Sequence, residues 1–149
     1  MLLVAERYTI DASVIVNAFN EGEIGQQESL AFLSAVRAAG AMVVEPTLLV
    51  PEVAGAIARG RQDANLARSV SSDIARLTTI LMISLDRALA SEARDVAVEH
   101  GMRGADAVYA AVALRFGSTL VTRDREQREQ LSSLLTTYTP EEALLASEG

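Results

Sequence analysis

The sequence contains no cysteine, few aromatic residues and no long hydrophobic run. The absence of cysteine among 149 residues excludes disulfide bonds and thiolate metal ligands, and it is compatible with a reducing compartment. Aromatic residues make up only 4% of the chain, so the core must be built from Ala, Val, Leu and Ile, which a hydrophobic content of 50% supplies. No apolar run approaches the roughly 18 residues of a membrane span, so no membrane association is expected.

Positive charge is also scarce, with 13 basic against 20 acidic residues and a net charge of −7. This balance argues against a broad basic surface for nucleic acid. It does not exclude an enzyme that acts on nucleic acid, because bound metal would cancel part of the charge. The start of the chain, Met1 to Arg7, is too short and too soon charged for a signal peptide. We therefore expect a soluble cytoplasmic protein with a single domain over residues 1–149.

Short apolar runs alternate with helical patterns along the chain. Buried strands are predicted at 8–11, 41–44, 80–83 and 119–122, with a candidate edge strand at 135–138. Helices are predicted at about 12–20, 26–39, 48–60, 62–78, 87–100, 104–116 and 125–134, with a last short helix from 139. Thr47 and Asp86 are the predicted N-caps of the helices that follow them, and residues 147–149 are predicted to fray. The alternation predicts an α/β fold with a parallel sheet covered on both faces.

Four carboxylates stand in apolar or structured surroundings, where a surface acid is less expected. Asp11 follows the first predicted strand and Asp124 follows the fourth, at the edge where open α/β sheets place their ligands. Glu52 and Asp106 lie early in helices that follow loops. We predict that the four side chains converge in one pocket.

Each acid also has an ordinary structural explanation. Asp11 and Asp124 are suited to cap the helices that follow them. Glu52 lies at the rim of an apolar helix face and is explained by solvation or by pairing with Arg59. Asp106 would gain roughly 0.3–1 kcal/mol from the dipole of its helix.

Convergence of these acids would carry a chemical consequence. Two carboxylates about 4 Å apart repel each other by about 4 kcal/mol at an effective dielectric constant near 20. A hard cation relieves that repulsion, and a ligand set of oxygen atoms without His or Cys favours Mg²⁺ or Mn²⁺ over Zn²⁺. Such an ion activates water and stabilises a leaving oxygen in phosphodiester cleavage. The pattern therefore predicts a divalent metal site for phosphodiester hydrolysis.

The segments around the four acids resemble the acidic motifs of PIN domains, in the order of that family and over essentially the whole chain. The four segments are 8–13 (YTIDAS), 51–54 (PEVA), 105–113 (ADAVYAAVA) and 120–124 (LVTRD). The small, single-domain form is most similar to the VapC-type toxins of bacterial and archaeal toxin–antitoxin pairs.

This resemblance implies a three-layer α/β/α sandwich with a five-stranded parallel sheet. It implies a Mg²⁺- or Mn²⁺-dependent endoribonuclease, commonly a homodimer, that acts on RNA and is inhibited by a small antitoxin protein whose tail inserts an arginine into the acidic pocket. The catalytic, metal-binding acids would be Asp11, Glu52, Asp106 and Asp124.

Other polar residues near the four motifs are expected to have more limited roles. Ser13 and Thr122 match small hydroxyl positions of the family and would orient water or phosphate, although a helix-turn cap and a strand residue explain them equally well. Glu126 lies at an unusual spacing after the fourth acid and is left out of the site. Four arginines are candidates for contact with RNA phosphate, although solvated surface charge also explains them: Arg103, Arg123, Arg125 and Arg128. Arg103 is in addition a candidate partner of Asp106.

Several competing functions remain open at this point. A housekeeping RNA-processing nuclease or a non-catalytic binding module would share the fold. An aspartate-based phosphatase would use Asp11 as nucleophile, but haloacid-dehalogenase-type enzymes usually carry a second Asp two residues on, where this chain has Ser13. No phosphate-binding P-loop or dinucleotide fingerprint occurs.

Overall fold

The computed structural model describes residues 7–146 and shows the alternation of strands and helices that the sequence predicts. The five strands are β1 (Arg7–Ile10), β2 (Met42–Pro46), β3 (Ile80–Ile83), β4 (Thr119–Val121) and β5 (Thr137–Tyr138). The helices are α1 (Ala12–Phe19), α2 (Gln26–Ala39), α3 (Leu49–Arg61), α4 (Ala64–Arg76), α5 (Arg87–His100), α6 (Gly104–Phe116), α7 (Arg125–Leu131) and α8 (Pro140–Ala146). Residues 1–6, on which the signal-peptide argument rests, and the tail predicted to fray at 147–149 lie outside the described residues.

The five strands form one parallel sheet in the order β3-β2-β1-β4-β5. The chain builds outward from β1 to β3 in one direction and then from β4 to β5 in the other. The strand order therefore reverses between β1 and β4, where Ile10 pairs with Val121. Open α/β sheets bind ligands at such a switch point, beyond the carboxyl ends of the strands. The predicted α/β fold with a five-stranded parallel sheet flanked by helices is confirmed.

The core is built around α6, the central helix of one layer. Seven consecutive residues of α6, from Ala107 to Ala113, are buried because this helix lies against β1, β2 and β4 while α5 covers it. In the other group of helices α1 contacts α2 and α3, α4 contacts α3, and α8 contacts α2. The ring of Tyr8 meets that of Phe32 edge to face at 5.3 Å, which joins β1 to α2. No helix within residues 7–146 is long and apolar enough to cross a membrane.

The predicted bounds of β2 and of the helix after it differ from the observed ones. The sequence predicts that the strand ends at Val44, but β2 continues to Pro46 because Glu45 and Pro46 pair with Met82 and Ile83 of β3. Thr47 is not an N-cap: its hydroxyl accepts a hydrogen bond from the Leu85 amide at 3.1 Å, and α3 begins at Leu49. The predicted cap Asp86 is confirmed, since its side chain accepts from the Leu89 amide at 2.9 Å.

Candidate active site

A cleft of about 500 Å³ lies beyond the carboxyl ends of β1 and β4. It is lined by all four predicted acids, namely Asp11, Glu52, Asp106 and Asp124. The four side chains therefore share one cleft, although they come from distant parts of the sequence. They do not form a closed ligand set in this arrangement, because no three acidic or histidine side chains of residues 7–146 lie close enough together to hold a metal ion.

Asp11 is the most deeply placed of the four acids. It follows β1 at the N-cap of α1, where its backbone amide donates to the Val121 carbonyl at 2.9 Å and its side chain accepts from the Ser13 amide at 3.1 Å. Its exposed fraction is 7%. Burial raises the pKa of Asp11, the hydrogen bonds with Ser13 oppose that rise, and the nearby charge of Glu52 adds to it. The capping role and a place in the cleft thus coexist at this residue.

Two hydroxyl groups tie the end of β1 to the loop after β4. The Thr122 hydroxyl donates to the Asp11 carboxylate at 3.3 Å and accepts from the Asp124 amide at 3.1 Å. The Ser13 hydroxyl accepts from the Arg123 amide at 3.1 Å and lies 3.5 Å from the Thr122 hydroxyl. These contacts fix Asp11 and Asp124 relative to each other. The expected role of the two hydroxyls in orienting water or phosphate stays a prediction.

Replacing Thr122 with Val should therefore destabilise the protein although it preserves the shape of the side chain. The substitution leaves the buried Asp11 carboxylate and the Asp124 amide each without one hydrogen bond. We expect the free energy of unfolding to fall by about 1–3 kcal/mol. Urea denaturation measures this loss. Thr79→Val, which makes the same change at an exposed position, is the control, and an equal effect in both variants would contradict the bridging role of Thr122.

Arg103 bridges two of the four acids. Its Nε donates to Asp106 at 3.0 Å and its Nη2 donates to Asp124 at 2.7 Å. Asp106 lies in the first turn of α6, whereas Asp124 caps α7 by accepting from the Gln127 amide at 3.1 Å. Burial raises the pKa of Asp106, and the guanidinium of Arg103 offsets part of that rise. The guanidinium of Arg103 thus lies where a metal ion shared by these two carboxylates would lie.

Glu52, in the first turn of α3, also lines the cleft. The alternative pairing with Arg59 is not formed, although Arg59 lines the same cleft. Within residues 7–146 no arginine forms an ion pair with Glu52 or with Asp11. Half of the acid set is therefore without a positive partner.

Sequence reasoning missed Tyr109 and Glu45, two buried titratable residues near this site. Burial raises the pKa of Tyr109, whose hydroxyl lies near Glu52, and that carboxylate raises it further. Its spacing of three residues from Asp106 on the same helix face was the available signal. Glu45 is fully buried, with one carboxyl oxygen accepting the Ile10 amide and the other without a hydrogen-bond partner. Burial raises the pKa of Glu45 well above its ordinary value, the Ile10 amide opposes the rise, and the charge of Asp11 adds to it.

The remaining arginines considered for phosphate contact are held elsewhere. Ion pairs join Arg123 to Glu141 at 3.0 Å, Arg125 to Glu129 at 2.8 Å and Arg128 to Glu142 at 3.2 Å. Of the four arginines considered, Arg103 is the one that lines the cleft, and Arg59 is the second cation there.

The donor chemistry of the cleft fits a hard divalent ion. Its four acids offer oxygen atoms only, which is the ligand type of Mg²⁺ and Mn²⁺. Asp11 is buried and accepts hydrogen bonds from Ser13 and Thr122, but it has no positive partner. A buried charge is costly unless it is paired with an opposite charge as well as hydrogen-bonded. A bound ion would supply that charge, while Asp106 and Asp124 would first have to release Arg103.

The strand order, the position of the cleft and its acidic lining define a parallel α/β protein with a carboxylate site at the switch point of its sheet. The sequence profile of the PIN domain matches residues 8–130, and the chain belongs to the PIN domain family.

Several solved structures share this fold, and two of them are described as a toxin and as a toxin–antitoxin complex. VapC20 of Mycobacterium tuberculosis, described as a toxin that cleaves the sarcin–ricin loop, is 16% identical with a TM-score of 0.70, covering 82% of this chain and 93% of that one. A toxin–antitoxin complex from Klebsiella pneumoniae is 18% identical with a TM-score of 0.63, covering 89% and 97%. FitAcB from Neisseria gonorrhoeae is 18% identical with a TM-score of 0.66, covering 90% and 98%. No curated protein sequence matches this chain.

Proposed function

We propose that this protein is a metal-dependent endoribonuclease that cleaves RNA phosphodiesters in the cleft, with Mg²⁺ or Mn²⁺ bound by Asp11, Glu52, Asp106 and Asp124. The observation that carries the proposal is the meeting of these four acids in one cleft at the switch point of the sheet. When bound, the ion would neutralise the carboxylates, activate a water and stabilise the leaving oxygen.

The chain's own residues prepare the cleft for a phosphodiester. Thr122 and Ser13 fix Asp11 against the loop after β4, so its carboxylate is oriented before substrate arrives. Because the protein carries a net charge of −7, attraction of RNA depends on local cations. Arg59 and Arg103, both at the cleft, would supply that attraction.

We further infer that the protein acts as the toxin of a type II toxin–antitoxin pair in the cytoplasm, as a homodimer that a cognate antitoxin protein inhibits. The support is the fold shared with VapC20, described as a toxin, and with a structure described as a toxin–antitoxin complex from Klebsiella pneumoniae. An acidic cleft suits a basic segment of an antitoxin by charge complementarity. Growth arrest on expression of this chain alone, relieved by an antitoxin encoded beside it, would distinguish a toxin from a housekeeping nuclease.

Purified protein should cleave single-stranded RNA in the presence of Mn²⁺ or Mg²⁺. The reaction should stop with EDTA and resume when excess metal is added, because the acids alone lack the positive charge needed at the phosphate. A DNA oligonucleotide of the same base sequence is the control substrate and should remain intact. RNA binding without cleavage would identify a binding module instead, and acid-labile phosphate on Asp11 would identify a phosphotransfer enzyme.

A further inference from the structure

We propose that Arg103 is an exchangeable counter-ion: it neutralises Asp106 and Asp124 in the metal-free protein and moves to the RNA phosphate when a divalent ion takes these carboxylates. The proposal rests on the proposed nuclease function, which says what the cleft binds. Through this exchange, one arginine of this chain controls both the entry of metal and the binding of substrate.

The geometry of Arg103 matches the first half of this exchange. One guanidinium donates to a carboxylate of α6 at 3.0 Å and to a carboxylate capping α7 at 2.7 Å, across 21 positions of sequence. It therefore occupies the position between Asp106 and Asp124 that a shared cation would take. A divalent ion between Asp106 and Asp124 would lie against the positive guanidinium and be repelled by it, so the two cations compete for this position.

The exposure of Arg103 makes the exchange feasible. Its side chain is 71% exposed, whereas those of Asp106 and Asp124 are 16% and 27% exposed. Exposed ion pairs contribute little to stability, so a divalent ion can replace this guanidinium at small cost. After release, the guanidinium remains at the mouth of the cleft, and its planar fork of donors suits phosphate as well as carboxylate.

Arg59 provides a comparison within the same cleft. It lines the cleft but forms no ion pair with any of the four acids. Removing Arg59 or Arg103 changes the charge of the cleft equally, but only the loss of Arg103 frees two carboxylates. A difference between the two variants thus reports the specific contact rather than the general electrostatic field.

The first test is a calorimetric titration of the metal-free protein with Mn²⁺ in the absence of RNA. We expect Arg103→Ala to bind Mn²⁺ roughly three- to tenfold more tightly than Arg59→Ala, the range that loss of two exposed ion pairs would produce. Arg103→Lys keeps the charge but cannot bridge both acids in the same way, so its affinity should lie between those of the wild type and Arg103→Ala. Circular dichroism checks that each variant is folded.

The second test is the cleavage of single-stranded RNA at saturating Mn²⁺. Because the freed guanidinium would bind phosphate, Arg103→Ala should raise KM roughly three- to tenfold, with partial recovery in Arg103→Lys. A merely structural role for Arg103 would not produce tighter metal binding together with weaker RNA binding.

The outcomes separate this inference from the proposed function. If the wild type binds Mn²⁺ and cleaves RNA but Arg103→Ala matches Arg59→Ala in metal affinity, the exchange is wrong and the nuclease stands. If metal affinity rises but KM is unchanged, the transfer to phosphate is wrong. If neither the wild type nor Arg103→Ala binds Mn²⁺, the nuclease proposal and the exchange are both overturned.

Discussion

Asp11→Asn should abolish RNA cleavage and weaken Mn²⁺ binding while leaving the fold intact. The amide oxygen of Asn still accepts the Ser13 amide, so the cap of α1 is preserved. What disappears is the negative charge at the deepest point of the cleft. We expect activity to fall by more than about 100-fold. Mutating a residue that only hydrogen-bonds to a metal ligand typically lowers metal affinity or activity by about 10- to 100-fold, and loss of a ligand should cost more.

Cleavage of labelled RNA and calorimetric titration with Mn²⁺ measure these two effects. Asp63→Asn is a matched control, because Asp63 caps α4 in the same way, accepting the Leu66 amide at 2.9 Å, and lies outside the cleft lining. The control should retain wild-type activity. If Asp11→Asn cleaved RNA as fast as Asp63→Asn, the assignment of Asp11 as a metal ligand would be wrong.

The parts of this fold that the sequence predicts well depend on local signals. The bounds of α6 agree with prediction at both ends, because an apolar segment stops at Gly117, whose φ of +62° is the left-handed conformation that glycine adopts readily. Asp86 was predicted as a cap from its position before a helical pattern, and it caps α5. The sequence singles out four acids as candidates because they interrupt apolar or structured segments at the ends of elements, namely Asp11, Glu52, Asp106 and Asp124.

The parts that escaped prediction depend on contacts between distant residues. The partner of Glu45 is the Ile10 amide, 35 positions away, and no local pattern reveals that a charged residue is buried inside β2. The sequence suggests Arg103 as a partner of Asp106 at close spacing, but its contact with Asp124 depends on the fold, which brings the start of α6 close to the start of α7. Prediction from the sequence thus places the acids in one cleft but does not reveal the arginine that two of them share.

Glu45→Gln should make the protein more stable than the wild type, and the gain should increase with pH. Burial raises the pKa of Glu45 well above its ordinary value of 4.5. The folded wild type therefore holds a proton that the unfolded chain releases, and its stability falls as pH rises from 4.5 through the folded-state pKa. Gln cannot ionise and its carbonyl oxygen still accepts the Ile10 amide, so the variant escapes this loss.

Urea denaturation in EDTA between about pH 5 and about pH 8 should show the two stabilities diverging, by as much as about 1.4 kcal/mol per pH unit. Glu45→Ala should be less stable than the wild type at low pH, by about 2–4 kcal/mol, because it leaves the Ile10 amide unpaired and a cavity in the sheet. Glu21→Gln, at an exposed position, removes the same charge and should show no divergence. A difference between Glu45→Gln and the wild type that stayed constant with pH would mean that Glu45 is not held protonated by burial. A stability difference between Glu45→Gln and the wild type that grew as pH fell would mean that the buried carboxylate stabilises the fold in its charged form.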